Sequence, residues 1–133
     1  MTAVENEFGM SIQQMLELND KISVVRSVYL FSALSDAQLE VVIQHMKVVK
    51  YMPGEYIIKE GEEGQTFYII EDGEVQISKD GNKIRKIGSL EYFGERALVF
   101  DEPRSASVQA VKPTHVMELS KQHFCEIISS AEN

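Results

Sequence analysis

The chain has 133 residues, with 13 basic against 21 acidic side chains and a formal charge of −8 at neutral pH. Its 44% apolar and 26% charged content is ordinary for a globular domain, and its length suits one hydrophobic core. The acidic balance argues against a general nucleic-acid binder, which needs a basic surface. No apolar run of about 18 residues is present to span a bilayer. The start, Met1 to Phe8, lacks the basic residues and apolar run of a signal peptide. Cys125 is the single cysteine, so an internal disulfide and a cysteine-rich zinc site are excluded and a reducing, cytoplasmic setting is expected.

In chain order, residues 10–28 place Ile12, Met15, Leu16, Ile22, Val25 and Val28 at near-helical spacing within an acidic stretch, which predicts one or two amphipathic helices. After the compact apolar turn Tyr29 to Leu34, Ser35 is positioned as an N-cap, with Asp36 in the first turn. Leu39, Val42, Ile43 and Met46 then extend a helix over 36–46, so that 10–46 forms an N-terminal helical segment. From Lys47 the pattern turns to β-branched and aromatic residues broken by turn pairs. Strands are predicted around Val48–Tyr51, Tyr56–Ile58, Phe67–Ile70, Val75–Ser78, Ile84–Ile87, Ser107–Val111 and His115–Leu119, with Pro53-Gly54, Glu71 to Glu74 and the hairpin pair Asp80-Gly81 between them. A last helix over 120–130 starts at the N-cap Ser120 and turns Phe124, Ile127 and Ile128 inward, where its apolar face and that of 10–28 are expected to pack on each other and on the strands. The expected fold is α+β: an antiparallel, eight-stranded β-roll (jelly roll) over 47–119 with helical flanks, in one domain spanning 1–133.

The segment 88–104 interrupts the strand pattern and carries the chemistry. Gly94 precedes the short helix-forming run Glu95 to Leu98, and glycine lets an anion approach the backbone N–H groups. Ten residues on, Arg104 follows Pro103, and a guanidinium suits bidentate contact with a phosphate. The small residues Ser105, Ala106 and Ser107 leave room for a ligand. These features describe an anion pocket. A connecting loop with a single helical turn is the plain alternative.

Phe93-Gly94-Glu95-Arg96-Ala97-Leu98 followed by Pro103-Arg104-Ser105-Ala106 resembles the phosphate-binding cassette (93–107) of cyclic nucleotide-binding domains. Leu30 to Leu34, Gly54-Glu55, Gly61 to Ile70 and Asp72 to Val75 match further marks of that family in order, so the resemblance covers residues 28–128. It implies that Arg104 holds the cyclic phosphate and that Glu95 accepts a hydrogen bond from the ribose 2′-hydroxyl. Backbone N–H groups around Gly94, Ala97 and Ala106 would complete the cradle. The stretch Ile84 to Leu98 is similar to the regulatory domains of cGMP-dependent protein kinase, and more distantly to cAMP-dependent protein kinase regulatory subunits. Arg85 stands where an arginine of that kinase's cGMP-selective domain reads the guanine edge, whose O6 and N7 both accept hydrogen bonds. Ser105 stands where serine or threonine is frequent in cGMP-preferring domains. The plain alternatives are a solvated Lys83/Arg85/Lys86 cluster and a merely small residue at 105.

The resemblance therefore implies a non-catalytic sensor module that binds cGMP, or alternatively cAMP, in the regulatory region of a cyclic-nucleotide-dependent protein kinase. The catalytic domain and other regulatory domains of that kinase would be its partners. The implied ligand-binding set is Ile84, Arg85, Gly94, Glu95, Arg96, Ala97, Arg104, Ser105 and Ala106, with no cofactor beyond the nucleotide, no metal and no membrane span. Family members continue into a base-capping lid helix, and the sequence is expected to be a fragment that stops before it. Binding would shift the cassette toward the phosphate and carry the final helix with it. Two other classes stay open: a roll that has lost its ligand and serves as an interaction module, and a metal-dependent cupin-type enzyme. Intact Glu95 and Arg104 oppose the first. The scattered His45, His115 and His123 oppose the second. Cys125 has no neighbouring base in sequence and is expected to be a buried or half-buried structural thiol.

Overall fold

The computed structural model describes Ile22, Ser23, Arg26, Val28 and residues 31–131, so most of the helix expected over 10–28 lies outside the described residues. The chain divides into two compact units, Met1–Gln44 and His45–Asn133. In the first, helix α1 spans Asp36–Gln44 and buries Leu39 and Val42. Ser35 caps it reciprocally: its Oγ accepts the Gln38 N–H at 3.2 Å, and the Gln38 Oε1 accepts the Ser35 N–H at 2.8 Å. Arg26 braces the approach to this cap, donating to the Leu34 carbonyl at 2.9 Å and pairing with Asp36. The helix stops two residues before Met46, and His45 lies beyond its end.

The second unit is the β-roll. Its strands are β1 (Lys47–Tyr51), β2 (Tyr56–Ile58), β3 (Thr66–Asp72), β4 (Glu74–Lys79), β5 (Asn82–Gly88), β6 (Tyr92–Phe93), β7 (Ser107–Ala110) and β8 (Thr114–Ser120). Every pairing is antiparallel, in two four-stranded sheets of order β1-β8-β3-β6 and β2-β7-β4-β5. The core lies between them: Tyr68, Ile70, Phe93 and Val116 from one sheet meet Ile58, Val75, Ile87 and Val108 from the other. β3 is buried on both faces from Phe67 to Ile70, which explains why its sequence reads as a continuous apolar run instead of an alternation. Helix α2 (Lys121–Ala131) packs against β8, buries Ile127 and is capped by Ser120, whose Oγ accepts the His123 N–H at 3.1 Å.

The Asp80-Gly81 hairpin forms as expected, with φ of +53° and +79° at its two central residues. The turn expected over 71–74 is tighter than its sequence suggests. β3 runs to Asp72, β4 begins at Glu74, and only Gly73, at φ +127°, lies between. The fully buried Thr114 seals this corner, its Oγ1 accepting the Glu74 N–H at 3.2 Å and donating to the Lys112 carbonyl at 2.7 Å. The two-residue strand β6, too short for any periodicity, is the element the sequence does not announce. Cys125 is exposed, not buried, because it lies on the face of α2 opposite the packed side.

The two turn glycines separate steric from conformational constraint. A Cβ at Gly81 meets nothing within 4 Å, whereas one at Gly73 would lie 2.6 Å from Thr114 Cα. Gly81→Ala should therefore cost about 1–2 kcal/mol from the left-handed backbone alone. Gly73→Ala should cost about 3 kcal/mol or more, because overlap with main chain is added. Thermal unfolding of both variants is the check, and equal losses would refute the sealing role given to Thr114.

Candidate functional site

The site forms where β6 leaves the sheet. Phe93 anchors the exit in the core, with its ring stacked on Tyr68 at 5.0 Å and 15°. Gly94 then turns the chain at φ +80°, and a 3-10 turn follows over Glu95–Leu98. Buried Ala97 and Leu98 hold this turn against the roll, so its other side is free to line a cavity. The Ala97 N–H is engaged within the turn, donating to the Gly94 carbonyl at 3.2 Å. The chain returns through Pro103 to Arg104, whose backbone is strapped to the β2–β3 loop. Its N–H donates to the Glu62 carbonyl at 2.9 Å, and its carbonyl accepts the Gly61 N–H at 2.8 Å.

The Arg104 side chain runs inward to a half-buried position. Its Nη2 donates to the Thr66 carbonyl at 2.9 Å, and its Cζ lies 5.9 Å over the Tyr68 ring. Burial pushes its pKa down, but a guanidinium stays charged throughout the accessible pH range. Among the described residues, no carboxylate is paired with it. Such a buried cation without a counter-charge is unusual. It faces a cavity of about 180 Å³ whose walls include Gly94, Glu95, Arg96, Ala97, Ser105 and Ala106.

Seven of the nine residues singled out in the sequence thus line one cavity. Their parts differ. Glu95, like Arg104, is among its lining residues. Arg96 turns its guanidinium to the surface, donating to Glu102 at 2.6 Å and lying 4.6 Å over the Phe100 ring. The Glu102 carboxyl is correspondingly held below the usual carboxylate range by that hydrogen bond. Ile84 and Arg85 are not among the lining residues; both are exposed on the edge strand β5. Arg85 nevertheless pairs across the sheet with Ile77, and Ile77 with Val108, and both of these line the cavity. Residues opposite one another share a face, so Arg85 occupies the outer end of a row that starts inside the site.

Ile58, Ile77 and Val108 are lining residues that sequence reasoning passes over, because an apolar strand residue facing a ligand looks like one facing a core. Behind Tyr68 lies a polar layer. Glu118 stands opposite Tyr68 on β8, and its Oε1 accepts the Tyr51 hydroxyl at 3.3 Å. His45 and His123, which look scattered in the sequence, meet edge-on at 5.2 Å. Among the described residues, no three His, Cys, Asp or Glu side chains cluster as a metal site, and no helix is long and apolar enough to cross a membrane.

An eight-stranded antiparallel roll with a glycine-led turn, and an arginine that has no carboxylate partner among the described residues, thus define one cavity. A model of the cyclic nucleotide-binding domain matches residues 48–131, and the chain belongs to that family. It is 50% identical over 121 residues to a cGMP-dependent protein kinase of Toxoplasma gondii, covering 90% of this chain and 12% of the kinase. It is 37% identical over 108 residues to a cAMP-dependent protein kinase regulatory subunit of Debaryomyces hansenii, covering 80% of this chain and 24% of that subunit. Among solved structures, the regulatory domain of Toxoplasma gondii PKA with cAMP superposes with a TM-score of 0.74 at 30% identity, over 89% of this chain and 46% of that one. The chain therefore spans only a small part of the curated relatives it matches.

The polar layer offers a titration that reports on the roll. Burial first, and the Glu118 carboxylate second, push the Tyr51 phenol up to about 12. Because the folded value is raised, folding favours the neutral phenol. That contribution is complete below pH 10, the ordinary tyrosine value, and is lost as pH rises towards 12. Ultraviolet titration of phenolate absorbance should show Glu118→Gln lowering this value while leaving it above 10, since burial remains. No change in Glu118→Gln would mean that the carboxylate plays no part.

Proposed function

We propose that this chain is a cyclic purine nucleotide sensor, binding cGMP in preference to cAMP within the regulatory region of a cyclic-nucleotide-dependent protein kinase. The observation that carries the reading is Arg104, a half-buried guanidinium without a carboxylate partner among the described residues, facing a cavity. A cyclic phosphate is a monoanion with two exposed oxygens, and a planar fork of donors is complementary to it. Glu95, on the same wall, is a carboxylate suited to accept from a ribose hydroxyl. The backbone N–H groups around Gly94 and Ala106 complete the anion's surroundings. Arg85, at the outer end of the row through Ile77, is the candidate reader of the guanine edge, with Ser105 at the cavity wall.

The module binds ligand and carries out no reaction in this reading. The catalytic domain and further regulatory domains of the parent kinase, in the cytoplasm, are its partners. Binding is transmitted through α2, which is joined to the site twice. Lys121 Nζ pairs with Asp101 of the cassette at 3.0 Å, and the Lys121 N–H donates to the Gln65 carbonyl at 2.8 Å, one residue before Thr66. A ligand that favours one placement of the cassette therefore favours one placement of α2, by its differential affinity for the two arrangements.

Calorimetric titration of nucleotide-free protein with cGMP and cAMP tests the reading. Both should bind, cGMP more tightly, and Arg104→Ala should weaken binding by about 2–5 kcal/mol, as when one partner of a buried charge pair is truncated. Arg85→Ala and Ser105→Ala should narrow the gap between the two nucleotides. Tighter binding of cAMP would overturn the base assignment, and near-native affinity in Arg104→Ala would overturn the site. A 2′-deoxy ligand should bind more weakly than its parent, with Glu95→Ala erasing the difference.

A further inference from the structure

The guanidinium of Arg104 is placed by its surroundings, and one of them is a residue with no side chain. Gly64 lies in the loop before β3, two residues from Thr66, whose carbonyl anchors the same guanidinium. A Cβ built on Gly64 would overlap Arg104 Nε and lie 2.7 Å from Nη2 and 2.8 Å from Cζ. Real Cβ atoms essentially never approach that closely. The obstruction is specific, because the three nearest atoms all belong to this one side chain. Nor does the backbone require glycine here: unlike Gly61 and Gly94, Gly64 does not have a φ in the left-handed region. Neither chain geometry nor core packing therefore explains a glycine at 64, and the approach of Arg104 does. The same guanidinium also lies over the Tyr68 ring, its Cζ 5.9 Å from the centroid.

We infer that Gly64 is a positioning residue for ligand binding, whose missing side chain opens the slot that holds the Arg104 guanidinium against Thr66 and Tyr68. It touches no ligand and acts only through Arg104. This rests on the reading of Arg104 as the phosphate ligand, and the test is arranged so that the two ideas fail separately. Stability and binding should move in opposite senses in Gly64→Ala. At a position whose φ alanine adopts, replacing glycine stiffens the unfolded chain and tends to stabilise the fold. The displaced guanidinium, by contrast, loses its aim at the anion.

The experiment is a double-mutant cycle with cGMP as the probe, covering wild type, Gly64→Ala, Arg104→Ala and both together. It is paired with melting curves and with NMR of the arginine Nε–H groups in nucleotide-free protein. The expected result is an affinity at least about tenfold weaker in Gly64→Ala at an unchanged or higher melting temperature. Gly64→Ala should have no further effect once Arg104 is alanine, and the Arg104 Nε–H resonance should shift as its place over the Tyr68 ring changes. Unchanged affinity and an unchanged Nε–H resonance in Gly64→Ala would overturn the inference while leaving the function intact. Additive losses in the double mutant would also overturn it, since Gly64 would then act other than through Arg104. If Arg104→Ala binds cGMP like wild type, the functional reading fails. The Nε–H shift then still reports whether Gly64 sets the place of the guanidinium.

Discussion

The proposed site depends on Arg104, a charge without a counter-charge among the described residues. Moving a guanidinium away from water is expensive, and proteins usually offset this with a carboxylate. Here the compensation to the Arg104 guanidinium is partial, one carbonyl and the face of one aromatic ring, while two backbone hydrogen bonds hold its Cα. In the proposed reading, the remaining donors of the fork serve the anion. A carboxylate in that position would satisfy the arginine permanently, and a phosphate would then have to displace it. The rest of the site can be read as what keeps this arrangement in place: a glycine wall, a rigid roll behind the ring and a short turn whose buried residues aim its exposed ones.

The roll does more than supply walls. One cross-strand row runs through the first sheet from Phe93 through Tyr68 and Glu118 to Lys47, joining the cassette exit to the first residue of β1. In the second sheet, Val108, Ile77 and Arg85 form a row leading from the cavity floor to an exposed edge. Antiparallel register thus fixes which side chains stand beside the ligand space and which stand one strand away. Helix α2 packs on β8 and buries Ile127, and Lys121 at its start joins it to Asp101 and to the Gln65 carbonyl.

The sequence was most informative where local chemistry decides the structure. Ser35 and Ser120 cap the helices that follow them, and Asp80-Gly81 closes its hairpin, because each acts through its own neighbouring backbone. The cassette was legible for the same reason, being one continuous segment. What stayed hidden depends on contacts between distant parts of the chain. Tyr68 and Gly64 take part in the site only because β3 runs beneath the returning Arg104. Ile58 and Val108 belong to the core, Ile77 packs against it, and all three line the cavity as well. Arg85, singled out by resemblance, is near the site by register and not by contact, a distinction that no one-dimensional pattern contains. Exposure of Cys125 was missed for a related reason, since helical spacing identifies an apolar stripe but not how far around the helix it extends.

The strap between Arg104 and the β2–β3 loop has a thermodynamic consequence. Two main-chain hydrogen bonds hold the Arg104 backbone to Gly61 and Glu62, and both are made by the chain's own atoms. A loop that had to be ordered on binding would consume part of the ligand's interaction energy as lost chain entropy, and association would wait on a folding step. Because the strap needs no atom but the chain's own, the entropy of closing it belongs to the folding of the domain. In the proposed reading, an entering anion then meets a docking surface that resembles a socket more than a closing hand, and more of its contact energy is left to bias the helix beyond.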